Sequence, residues 1–194
     1  MTPKALRACG LVPRLMHLAI AACGAACAHE LQESRATLVQ REANFVAMTL
    51  YVDLPAVLHH ALSPQRSFAE FAVVHANMPP DVFRAVLTRV ATRMQSETQA
   101  TTTQGRTLSF AHWAWPDAPR VQAALRDRLM ETVVAPTDPT HAAPLDVRAE
   151  LHSDLPITAL RVRFAPVLGR VMVVSYRPKQ VWADSRRPST AIAF

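Results

Sequence analysis

His29 is the residue whose type and position most directly suggest chemistry. It follows the small-residue segment Ala26-Cys27-Ala28. If the chain is cut there, the new α-amine and the imidazole form a two-nitrogen chelate of the kind that suits copper(II). A working site needs at least one more nitrogen, and His59, His60, His75, His112, His141 and His152 are the available donors. Their spacing matches no metal motif. His59 and His60 are neighbours on an expected helix, where side chains about 100° apart do not converge on one ion. The ordinary reading of the others is solvated loop or strand histidines, with His75 at the edge of a helix's core face.

Trp113 and Trp115 lie two apart on an expected strand and so project from one face, where a pair of indoles can stack on a sugar ring or anchor a partner protein. Core packing is the competing role for the same pair, and Trp182 stands alone near the end. Arg148, Arg161, Arg163 and Arg170 form one positive surface if the C-terminal strands pair as a meander, and a solvated face with nothing bound is the competing reading. Hydrolytic chemistry has no support, because no Gly-x-Ser-x-Gly turn and no His-Glu-x-x-His helix occurs. Asp146 and Glu150 flank Arg148 on one strand face and read as ion-pairing groups. No catalytic residue is assigned, and the expectation is a protein that is not an enzyme.

The value of His29 depends on processing. Lys4, Arg7 and Arg14 precede an apolar stretch, Leu15 to Ala22, with no acidic residue before Glu30. This order reads as a secretory signal, residues 1–28, cut after Ala28. The apolar run is shorter than the ~20 residues that span a bilayer. A second outcome competes, since Ile20-Ala21-Ala22-Cys23-Gly24 resembles a lipobox in which Cys23 is acylated and retained at the membrane. Membrane contact is expected only in that case. Cys9, Cys23 and Cys27 all precede the cut, so residues 29–194 have no disulfide, thiol nucleophile or cysteine-held metal. Cleavage also lowers the formal net charge from +6 to about +3. With no basic stripe or recognisable module, nucleic acid is not an expected partner.

The elements that must position these residues follow from periodicity. Residues 32–52 read as two strands joined at Arg41-Glu42-Ala43-Asn44, with Val46, Met48, Leu50 and Val52 on one face. Asp53 caps a short helix through His59 and His60, Ser67 and Glu70 form a capping box, and Pro79-Pro80-Asp81 opens a longer helix striped by Val82, Val86, Val90 and Met94 with Phe83 and Leu87 alongside. Ser96 to Gln104 reads as a linker and Thr107 to Trp115 as one strand. Pro119 then opens a helix carrying Val121, Leu125 and Leu129. A proline-rich connection, 135–144, leads to an alternating strand at Leu145–His152, another at Leu160–Phe164, and Val171-Met172-Val173-Val174, which reads as buried on both faces. Gly105 and Gly169 are the only glycines after the signal, which leaves no phosphate-cradling loop.

The segments Ala28-His29-Glu30-Leu31 through Leu50-Tyr51-Val52-Asp53-Leu54 resemble the start of a loose group of uncharacterised exported bacterial proteins. In that group a histidine follows the cut and a strand hairpin leads into a short helix. The resemblance implies an exported β-rich domain and carries over no catalytic residue.

The expected fold is a single α+β domain over 29–194: an antiparallel sheet or small β-sandwich, made of an N-terminal hairpin and a C-terminal meander, with the helical middle, 55–133, packed on it. Hairpin and meander must share a sheet, since a two-stranded hairpin alone is barely stable. The expected role is a periplasmic accessory domain contacting another envelope protein. The alternative is a periplasmic copper protein built around His29.

Overall fold

The computed structural model describes residues 34–134 and 144–178. All of them belong to one compact unit, Gln32–Phe194. The fold is α+β, in the order β1 (Ser34–Glu42), β2 (Phe45–Val52), α1 (Leu54–Leu62), α2 (Phe68–Ala76), α3 (Pro80–Glu97), β3 (Gln99–Thr102), β4 (Thr107–Ser109), β5 (Ala111–Ala114), α4 (Ala118–Val134), β6 (Leu145–His152), β7 (Leu160–Arg163), a 3-10 turn (Pro166–Leu168) and β8 (Val171–Tyr176).

The alternating pattern of β2 works as expected. Val46, Met48, Leu50 and Val52 are buried, and β2 lies in the middle of a five-stranded sheet ordered β5-β6-β2-β1-β8. The N-terminal and C-terminal strands do share this sheet, through β2 with β6 and β1 with β8. The hairpin turn is shorter than expected, because β1 runs to Glu42 across a bulge and leaves only Ala43 and Asn44 between the strands. Backbone bonds from Ile157 N to Ala43 O (2.6 Å) and from Ser153 N to Asn44 O (3.0 Å) tie the turn to the loop after β6.

The helix caps at Asp53 and Ser67 form as expected. Asp53 Oδ1 accepts from Ala56 N at 3.1 Å. The Ser67 capping box is complete: Ser67 Oγ accepts from Glu70 N, and the Glu70 carboxylate accepts from Ser67 N. These bonds hold the Glu70 carboxyl below its ordinary range, chiefly through the Ser67 side chain, then its backbone N–H, with a small contribution from the Arg66 charge against a weak desolvation effect. In α3 the buried stripe is Phe83, Val86, Leu87, Val90, Ala91 and Met94. Val82 lies outside it, 45% exposed, because a row of every fourth residue drifts about 40° per step around a helix of 3.6 residues per turn.

Three expectations are corrected. The segment Ser96 to Gln104 is not a linker: α3 continues to Glu97 and Gln99–Thr102 forms β3, the central strand of a second sheet ordered β4-β3-β7. Its threonines fit a pleated surface, and neighbours on both sides outweigh its polar composition. Thr107 to Trp115 is not one strand. It breaks at buried Phe110, so that β4 pairs with β3 while β5 pairs with β6 in the larger sheet. His112, at φ 49°, and the irregular register from Ala111 to Ala114 make the corner, as bulges do where strands change sheets. The C-terminal strands are not a meander, since β6 and β8 are separated by β2 and β1, β7 belongs to the second sheet, and β8 runs parallel to β1. Parallel pairing follows from the long path through β7 and the 3-10 turn, which returns the chain to the same end of the sheet.

One face of the five-stranded sheet is covered in two halves. Ala36, Leu50, Val52, Leu145 and Val147 pack under Leu58, Phe71, Phe83, Val121 and Leu125 of the helices. Leu38, Val46, Met48, Ala149 and Leu151 pack under Ala100, Phe110, Ile157, Leu160 and Val162 of the second sheet and its loops. Leu151→Ala, in a fully enclosed position, is expected to destabilise the fold by about 2–5 kcal/mol in urea unfolding. Met172→Ala, half-exposed at the sheet edge, changes it by less than about 0.5 kcal/mol. Ser67→Ala should raise the Glu70 titration midpoint toward the ordinary carboxylate value. The wild-type cap is complete above that value and is lost as pH falls through the lowered one, a trend NMR titration of Glu70 can follow.

Candidate interaction surface

The expected site residues do not converge. Trp113 and Trp115 share a face and stack, with ring centroids 6.2 Å apart and planes at 25°. Both pack against the main core, and Trp113 also reaches the second cluster. Trp113 Nε1 donates to Phe110 O at 3.0 Å, while Trp115 Nε1 is shielded from solvent and meets no acceptor among the described residues. The pair therefore joins the two halves of the core at the corner where the chain changes sheets. Trp182 lies outside the described residues.

Among the histidines, His59 Nε2 bonds to Arg66 O at 2.8 Å and its ring meets Phe68 and Phe71. The His60 ring centroid lies 5.5 Å from that of His59, with the two planes tilted 46° to each other. His75 Nδ1 bonds to Phe71 O and the ring stacks on Phe71, as a core-edge residue. His112 and His152 meet edge to face at 6.4 Å, with His152 stacked on Phe45 and 3.5 Å from Glu150. Among the described residues no group of three His, Cys, Asp or Glu side chains could hold a metal ion. His29 and His141, Cys23 with the alternative anchor, and the cut after Ala28 all lie outside the described residues.

The arginine surface is divided. Arg148 projects from β6 in the larger sheet and pairs with Asp146 at 2.8 Å, two residues away on its own strand. Arg161 and Arg163 project from β7 in the smaller sheet, Arg163 bonding to Gln99. The expected single patch required a meander that does not form.

The surface that sequence reasoning missed is the outer face and edge of the larger sheet. Register sets its side chains in rows: Met172, Arg35, Tyr51, Asp146; Val174, Thr37, Thr49, Arg148; Tyr176, Val39, Ala47, Glu150. Each row runs from apolar at β8 to charged at β6. Met172, Val173, Val174 and Tyr176 are 50%, 47%, 42% and 54% exposed. This corrects the reading of β8 as buried on both faces: among the described residues it is an edge strand, paired only with β1. On the opposite side of β8, Val173 and Ser175 line a groove of about 610 Å³ with Leu38, Val46, Ile157, Leu160 and Val162. The signal for this surface in the sequence is the apolar run Val171-Met172-Val173-Val174, which needs cover on both faces and does not say where that cover comes from.

Trp113→Ala is expected to lower stability by about 3–5 kcal/mol by urea unfolding, the cost of emptying a packed joint. A surface anchor would leave the midpoint unchanged. No family model matches the chain, and no curated protein or solved structure matches it.

Proposed function

We propose that the protein is a non-catalytic accessory domain of the bacterial envelope, exported to the periplasm, that holds another envelope protein on the β8 side of its five-stranded sheet. The observation that carries this reading is the placement of Val171–Tyr176. A six-residue strand that opens with four consecutive apolar residues, Val171 to Val174, occupies a sheet edge, with Met172, Val173, Val174 and Tyr176 about half-exposed on its two faces. Monomeric proteins blunt such edges with charges, proline or a covering loop, because an open apolar edge templates further strand pairing. β8 carries no charged residue and no proline within its six residues, and among the described residues β1 is the one strand that borders it. The tryptophan pair, enclosed at the sheet corner, is the weaker candidate for partner contact and serves packing in this proposal.

The test is site-specific crosslinking in the native cell. A photoreactive benzoylphenylalanine replaces Met172 in one variant and exposed Arg89, on α3, in another. The expected result is one discrete adduct with an envelope protein from position 172 and none from position 89. Equal background labelling at both positions would sink the proposal.

A further inference from the structure

We infer that the outer face of the smaller sheet binds a phosphorylated sugar of a glycan chain, with the phosphate monoester held between Arg161 and Arg163. This face belongs to the other sheet and is independent of β8. Side chains alternate along each strand, so Ala100, Leu108 and Val162 turn toward the core while their neighbours turn out. Two rows of three result: Thr107, Thr101 and Arg161 in one, Ser109, Gln99 and Arg163 in the other. Both arginines, Thr107 and Ser109 are exposed, and Gln99 and Thr101 are half-buried. No carboxylate stands at any of the six positions. Glu97, the acid nearest to Gln99 in sequence, is taken up by Arg93 at 2.9 Å.

Charge selects the ligand. Arg161 and Arg163 lie two residues apart on β7, which sets their backbones about 7 Å apart with both side chains on one face. Like charges so placed repel. Arg163 Nη2 donates to Gln99 Oε1 at 3.0 Å, which orients that guanidinium and leaves its other N–H groups to donate. Arg161 makes no hydrogen bond or ion pair among the described residues. A phosphate monoester carries about −1.5 to −2 charges at neutral pH and three strong acceptor oxygens, so one such group neutralises both guanidinia and accepts from each. A carboxylate or a phosphodiester, with a single charge, leaves one arginine uncompensated. Around the phosphate, the hydroxyls of Thr101, Thr107 and Ser109 and the Gln99 amide both donate and accept, as sugar hydroxyls require. With strands spaced by about 4.8 Å, the array is about 10 Å wide, enough for the phosphate and the ring that carries it. Leu160 and Val162 line the groove on the other side of β7, so the arginines stand on an open face. Free small molecules are held in clefts, whereas an open face suits a sugar presented on a larger chain.

The test uses the full chain at low salt and probes matched in their concentration of charged groups. They are dextran bearing phosphate monoesters, carboxymethyl dextran, free glucose 6-phosphate, and phosphatidylglycerol vesicles, whose phosphates are diesters. Affinity is read by calorimetry, and the place of binding by NMR of the Arg161 and Arg163 Nε–H groups and the Gln99–Thr102 amides. The expected result is movement of both Nε–H signals with phosphorylated dextran and affinity about tenfold weaker for each other probe. Arg161→Gln/Arg163→Gln is expected to lose about tenfold in affinity for phosphorylated dextran, while Arg148→Gln binds as the wild type.

Arginine signals that stay still in the wild type overturn the inference, whatever the variants do. So does equal affinity for phosphorylated and carboxymethyl dextran, which is attraction to charge alone. Tighter binding of glucose 6-phosphate would make the occupant a free sugar phosphate, and tighter binding of the vesicles would make it a lipid surface. Either result removes the glycan.

Discussion

The antiparallel pairing of β2 with β6 is the constraint on which the rest of this fold depends. It runs from Phe45 opposite His152 to Val52 opposite Leu145 without a register break. Since side chains alternate with a period of two, this register puts the buried residues of both strands on one face together. A slip of one residue would turn Val147, Ala149 and Leu151 outward and strip both core clusters of their floor. β2 is thus fixed on both sides, by β1 through a two-residue turn and by β6 through this ladder.

With that floor set, the two coverings divide it. Helices α1 to α4 occupy the half carrying Leu50, Val52, Leu145 and Val147, and the small sheet occupies the half carrying Met48, Ala149 and Leu151. The break at Phe110 makes the division possible, because one stretch of chain contributes β4 to the upper layer and β5 to the lower. The stacked indoles of Trp113 and Trp115 fill the seam beside it. Neither covering reaches the far side of β8, so its apolar side chains remain in contact with solvent.

Local features were legible in the sequence. The alternation of β2 and β6, the Asp53 cap, the Ser67–Glu70 box and the α3 stripe each depend on neighbours within a few residues, and each was readable from spacing. Non-local choices were not. Whether Gln99–Thr102 finds partners, whether residues 107–115 bend between two sheets, and which strand borders Val171–Tyr176 are decided by parts of the chain remote in sequence. The candidate site was half visible for the same reason. The apolar run of β8 announced a need for cover on both faces, but not where that cover comes from. The tryptophans announced a shared face, but not that the core lies against it.

The parallel pairing of β1 with β8 has a kinetic consequence. Ser34 lies beside Val171 and Val39 beside Tyr176, so the first described strand gains its second neighbour from the last. Contacts this distant in sequence require a long loop to close before they are rewarded, so this pairing is expected to follow the hairpin and the local helices. In that order of assembly β1, paired with β2 alone, is itself the edge of the sheet until β8 arrives. Completion of the sheet moves that edge outward by one strand, from β1 to β8.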